Sequence, residues 1–186
     1  MLIYLHGLNS SKLSAKAGVL RNRLEPVPVF APSYPAHRPD EAIATLSKFF
    51  AGMGGEGNPV VVGSSMGGFY GQYLARRFPM KHLFMINPAL RPWLLLSEFE
   101  GQTMSTADNE SYPITQELIE STLRYSIADP SDGVATTLFL DKGDEVIDYR
   151  IAESVYRTCG RVIVYEGGDH AFQHLDEATA IIRESL

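Results

Sequence analysis

The chain has 186 residues, 45% of them hydrophobic, with 16 Lys and Arg against 22 Asp and Glu for a formal charge of -6. Such a length and composition suit one compact domain, residues 1–186, with a buried core. An acidic balance without a Lys/Arg cluster excludes a surface built to track nucleic-acid phosphates, and no apolar run approaches the roughly 20 residues of a membrane span.

Met1 leads at once into Leu2, Ile3, Tyr4 and Leu5, without a basic n-region or a small-residue cleavage site. No secretory signal is therefore expected. The single cysteine, Cys159, allows no internal disulfide, suits a reducing cytoplasm, and is read as a packing residue at a helix end.

Short apolar runs alternate with amphipathic stretches along the chain, the pattern of a parallel sheet with helices on both faces. The first predicted strand is Leu2 to Leu5, followed by the loop His6-Gly7-Leu8-Asn9-Ser10-Ser11. Ser11 is expected to cap a helix carrying Leu13, Ala17, Leu20 and Leu24 on one face. A strand at Val27 to Ala31 lies in a stretch, Pro26 to Pro39, that holds five prolines. Proline cannot donate to a ladder, so this strand belongs at a sheet edge. Asp40 is expected to cap a helix with Ile43, Leu46 and Phe50.

The third strand, Val60 to Gly63, runs into Gly63-Ser64-Ser65-Met66-Gly67-Gly68 and a helical stretch beyond it. Ser65, with Gly63 and Gly67 two residues to either side, has the context of a nucleophile elbow, a sharp turn that lifts a hydroxyl clear of the sheet. A fourth strand covers Leu83 to Ile86. The segment from Arg91 to Ser131 then interrupts the alternation, with a polar stretch at Gln102 to Ser111 and a helix from about Thr115 to Ile127. Trp93, Phe99 and the run Leu94-Leu95-Leu96 need something to cover, which favours a small lid. Strands at Thr136 to Leu140 and Val162 to Tyr165, a helix beginning near Asp148 and a closing helix after Asp176 complete the pattern.

A serine hydroxyl needs a base within reach, and His170 stands in the loop directly after the last strand. The base in turn needs a carboxylate to fix its tautomer. Of Asp141, Asp144 and Asp148, the first belongs to a strand end and the third to a helix cap, which leaves Asp144. The order Ser, Asp, His along the chain is that of α/β-hydrolases. The amides of Met66 and Leu8 are the expected oxyanion donors, and His6 is read as holding the Leu8 loop by hydrogen bonds. His170 and His174 are four apart, but no Glu follows the first and no third ligand presents itself. Neither a metal nor an organic cofactor is expected.

The pieces YLHGLNSS with SAKA behind it, VGSSMGGFY, INPALRP, KGDEVIDYR and EGGDHAF, spread in that order over nearly the whole chain, resemble the YqiA-like esterases of the α/β-hydrolase superfamily. The resemblance implies a serine hydrolase acting on carboxylic esters, with acyl-CoA thioesters as a second class of substrate. Carried over residue by residue, it implies Ser65 as nucleophile, Asp144 as acid and His170 as base. It also implies a fold lacking the first two strands of larger hydrolases, with six parallel strands in the order 2-1-3-4-5-6.

From their positions beside the motif loops, Leu8, Met66, Leu90, Trp93 and Phe172 are expected to form the acyl pocket, and Arg91 and Lys142 to offer charge to a coenzyme A leaving group. A noncatalytic binding domain on the same fold and a serine peptidase are the competing readings.

Overall fold

Apolar runs of four to six residues form five of the six strands of one parallel sheet in the computed structural model, which describes residues 1–53, 57–131 and 133–186. In chain order the first elements are β1 (Leu2–Leu5), α1 (Ala15–Arg23), β2 (Val29–Phe30), α2 (Pro39–Ala51), β3 (Val60–Ser64), α3 (Met66–Ala75) and β4 (His82–Ile86). A cap segment follows, made of α4 (Pro92–Ser97), the strands β5 (Thr103–Ser105) and β6 (Ser111–Pro113), and α5 (Gln116–Leu123). β7 (Thr136–Asp141), α6 (Tyr149–Tyr156), β8 (Arg161–Tyr165) and α7 (Leu175–Glu184) complete the chain.

The six long-range strands pair in parallel in the order β2-β1-β3-β4-β7-β8, and β5 and β6 form a separate antiparallel ribbon. Counting only the sheet strands, this is the expected order. β2 is cut to two residues, Val29 and Phe30, beside Leu2 and Ile3, because Pro26, Pro28 and Pro32 remove the donors on either side.

Successive side chains of a strand point to opposite faces, so a strand covered on both sides is apolar throughout. Ile3, Leu5, Val61 and Met85 pack with Leu46 of α2, Leu74 of α3 and Tyr156 of α6. Leu2, Tyr4, Val60, Val62 and Phe84 pack on the other face with Leu20 of α1 and Ile182 of α7. Fully burying one such Leu or Ile contributes about 1.5–3 kcal/mol. Leu96, Tyr112, Ile114 and Ile119 form a third, smaller cluster inside the cap segment, with Leu8 and Trp93 against it.

Two expected helix starts move. α1 begins after Ser14, whose hydroxyl accepts the Ala17 amide, rather than after Ser11, and Leu13 stays exposed outside the helix. α2 begins with Pro39 at its first position and Arg38 before it, so Asp40 lies in the first turn instead of capping. The lone N–H that proline lacks is unsatisfied at that position in any case. Asp148 does cap α6, accepting the Arg150 amide.

Candidate active site

The sheet delivers its chemistry at the carboxyl ends of its strands, as open α/β sheets do. Ser65 follows β3 directly, with φ 53° and ψ -119°. A non-glycine residue held there is strained, which is the geometry of a nucleophile elbow. The turn closes only because its neighbours lack side chains: a Cβ on Gly63 would come within 2.4 Å of the Gly67 carbonyl oxygen, and one on Gly67 within 2.1 Å of the Leu5 oxygen.

Asp144 lies in the loop after β7 and is only 2% exposed, and His170, 26% exposed, lies in the loop after β8. His170 Nδ1 is 3.0 Å and 2.9 Å from the two Asp144 carboxylate oxygens. The carboxylate accepts, so the imidazole donates from Nδ1 and keeps its Nε2 lone pair. Asp144 Oδ1 also accepts the amides of Val146 at 2.9 Å and Ile147 at 2.8 Å. The His170 amide donates to Glu145 at 3.0 Å, so the two loops lock to each other on both sides of the ring.

Ser65 and His170 line one cavity of about 650 Å³. No hydrogen bond joins Ser65 Oγ to the ring among the described residues; such contacts are often long before substrate arrives. Leu8 lines the same cavity, and the amides of Leu8 and Met66 donate to no described acceptor. Met66 opens α3, where the first amides of a helix have no intrahelical partner. His6 is 2% exposed and stacks on Tyr34 at 4.2 Å, and the Tyr34 hydroxyl donates to the His6 carbonyl at 2.6 Å. Burial lowers the His6 pKa, so its ring is neutral and holds the loop.

Of the residues expected to form the acyl pocket, the structure places only Leu8 on the cavity. Met66 and Leu90 are buried in the core on one face of the sheet, and Trp93 packs beside Leu96 and Tyr112. Phe172, at φ 67°, turns to the opposite face against Phe139 and Tyr165. The apolar lining comes instead from Leu95, Leu96, Phe99 and Met104 of the cap segment. Arg91 and Lys142 also lie off this cavity, and Lys142 pairs with Glu166 on the surface. Lys16 and Glu145 also line the cavity; both lie in motif stretches, SAKA and KGDEVIDYR, yet the sequence reading gave neither a role.

A second Asp–His pair lies beneath the first. Asp141, with no exposed side-chain surface, accepts from His174 Nδ1 at 2.6 Å. Among the described residues no group of three His, Cys, Asp or Glu is arranged to hold a metal ion, and no helix is long and apolar enough to cross a membrane.

The parallel sheet, the strained Ser65 turn and the strand-end loops are those of an α/β-hydrolase fold. Many solved structures share it, among them the following three. Est1E from Butyrivibrio proteoclasticus, solved with ferulic acid bound, has a TM-score of 0.77 at 14% identity over 98% of this chain and 86% of its own. Alpha/beta hydrolase domain-containing protein 10 from mouse has 0.75 at 14% identity over 98% and 88%. A monoacylglycerol lipase from Paleococcus ferrophilus has 0.72 at 14% identity over 98% and 92%. Within that fold the chain belongs to the family described as "Uncharacterised protein family (UPF0227)", matched over residues 1–184, and is a YqiA-like α/β-hydrolase.

Proposed function

We propose that this chain is a serine hydrolase that cleaves carboxylic esters, with Ser65 as nucleophile, His170 as general base and Asp144 as the carboxylate that orients it. The observation that carries the reading is the Asp144–His170 hydrogen bond at the edge of the cavity that also holds the strained Ser65.

Ser65 Oγ attacks the ester carbonyl and its proton passes to His170 Nε2. The amides of Leu8 and Met66 bind the oxyanion, each contributing on the order of 3 kcal/mol to the transition state. As the C–O bond breaks, the imidazolium gives that proton to the leaving oxygen. Water, deprotonated by His170, then attacks the acyl-enzyme and releases the acid and Ser65.

The acyl chain lies against Leu95, Leu96, Phe99 and Met104, and residues 91–131 act as a small lid. Tyr112 of this segment donates to Asn9 of the oxyanion loop at 2.7 Å. The same chemistry extends to thioesters. One domain over residues 1–186 and a cytoplasmic setting complete the reading.

Hydrolysis of p-nitrophenyl esters from acetyl to octanoyl tests it. The wild type is expected to turn them over, with Ser65→Ala lower by about three orders of magnitude or more. A wild type inert to every ester and to a serine-directed fluorophosphonate would leave a noncatalytic binding domain. A label taken up without ester turnover, together with cleavage of peptides, would favour a peptidase.

A further inference from the structure

We infer that Lys16 binds an anionic group on the leaving portion of the substrate, so that the preferred substrates are esters whose alcohol part carries a carboxylate or phosphate. The inference rests on the ester-hydrolase reading of the Ser65 cavity and names the substrate class for it.

Lys16 lines that cavity beside Ser65 and His170, in a position that its own element opposes. It is the second residue of α1, whose first turn holds no acidic side chain, and a cation at a helix N-terminus meets the positive end of the dipole. Its ammonium forms no hydrogen bond or ion pair with any described residue, although its surroundings exclude enough water to lower its pKa from the ordinary 10.5. Dipole and desolvation both disfavour the charge here. A costly charge at the rim of a reactive cavity marks a ligand contact better than a stabilising one.

The side of the cavity follows from the charges around it. Burial acts most strongly on Lys16 and lowers its pKa, and the nearby charges of Asp169 and Asp144 oppose that shift. Asp169 precedes His170 in sequence, and Asp144 is hydrogen-bonded to its ring. Lys16 therefore stands on the His170 side. His170 must hand its proton to the departing oxygen, so the leaving group occupies that side.

The nearby carboxylates already have donors. Asp144 accepts from Val146, Ile147 and His170, Glu145 accepts the His170 amide, and Asp169 Oδ2 accepts from Gln173. Asp169 Oδ1 is buried without a described partner. The rival role for Lys16 is thus to balance Asp169, and that role does not depend on substrate charge.

The test compares the butyryl ester of 4-hydroxybenzoate with that of its neutral methyl ester, in wild type, Lys16→Met and Lys16→Arg. Taking the ratio of kcat/KM within one preparation cancels the folded fraction, and comparing that ratio between variants cancels the intrinsic reactivity of each ester. The anionic-to-neutral ratio is expected to fall about tenfold or more in Lys16→Met, to persist in Lys16→Arg, and to shrink with added salt. A ratio equal in wild type and Lys16→Met overturns the inference and leaves the esterase reading standing. A p-nitrophenyl hemiester of glutarate places the charge on the acyl side instead. If Lys16→Met affects that substrate and not the hydroxybenzoate pair, the assigned side is overturned. Failure of the wild type on both butyryl esters and on the p-nitrophenyl series removes the function and the inference together.

Discussion

Two aspartate–histidine pairs join the loops after β7 and β8, and they teach what such a pair does and does not signify. Asp144 and His170 meet at 2.9 Å, and Asp141 and His174 at 2.6 Å. By distance and burial the second pair is the stronger. Yet His174 precedes α7 and stacks face to face on Tyr165 at 4.5 Å with an interplanar angle of 6°, while His170 lines the cavity with Ser65. Asp141 also accepts the amides of Gln173 at 2.9 Å and Asp169 at 3.3 Å, one on each side of His170. Its own amide donates to Asn87 at 2.9 Å. One pair faces the cavity that holds Ser65, and the other holds the loop that carries His170.

The comparison breaks cleanly by mutation. Asp144→Asn is expected to lower kcat on a p-nitrophenyl ester by about 10⁴, through loss of the correct imidazole tautomer, with little change in Tm. Asp141→Ala is expected to do the reverse first. It leaves His174 and two amides without their buried acceptor, at a cost of about 3 kcal/mol in urea unfolding. Equal stability losses in the two variants would mean that the division of labour is wrong. Gly168 sharpens the point: at φ 75°, a Cβ there would come within 1.9 Å of Asp141 Oδ2.

The contrast also shows what the sequence could carry. β1, β3, β4, β7 and β8 were legible because each is a continuous apolar or β-branched run between turn residues. Asp141 read as the last residue of its strand, and β7 does end there. The prolines foretold the edge position of β2 but not its shrinkage to two residues. Ser14 and Ser11 are chemically equivalent caps in a sequence, and only packing of Ala17 and Leu20 chooses between them. The elbow and the two loops of the site were legible from local turn chemistry. The cavity wall was not, since Lys16, the Leu95–Phe99 stretch and Glu145 are distant in the chain and meet only through the sheet order. Proximity to a motif pointed to Phe172, whose positive φ sends its ring to the other face.

A smaller effect tests the link between the cap segment and the loop after β1. Tyr112→Phe removes the hydroxyl that reaches Asn9 and leaves the ring tilted against His37 at 4.5 Å. The expected stability loss is about 1 kcal/mol. If residues 91–131 act as a lid held to this loop, KM for octanoyl esters rises more than KM for acetyl esters. Equal changes across the chain-length series would separate the cap from acyl binding.

The smallest expected effect is a pH dependence of stability that comes from structure rather than from catalysis. Burial lowers the pKa of His6, and burial followed by the Arg161 charge lowers that of His82, both from the ordinary 6.5. In the unfolded chain these rings take up protons as pH falls through about 6.5, while in the folded chain they resist until lower pH. The unfolded state then binds more protons, so stability falls with falling pH across that window. Above pH 7 the rings are neutral in both states and the contribution vanishes. Urea midpoints are therefore expected to drop between pH 7.5 and about 5.5, and His82→Gln, which can still reach Thr137, reduces the drop. His82 lies at the start of β4, at the opposite end of that strand from the site, with its ring 2.9 Å from the Thr137 hydroxyl. Ester turnover per folded molecule is accordingly expected to be the same in this variant as in wild type at pH 7.5, which separates the sheet's pH-dependent stability from turnover.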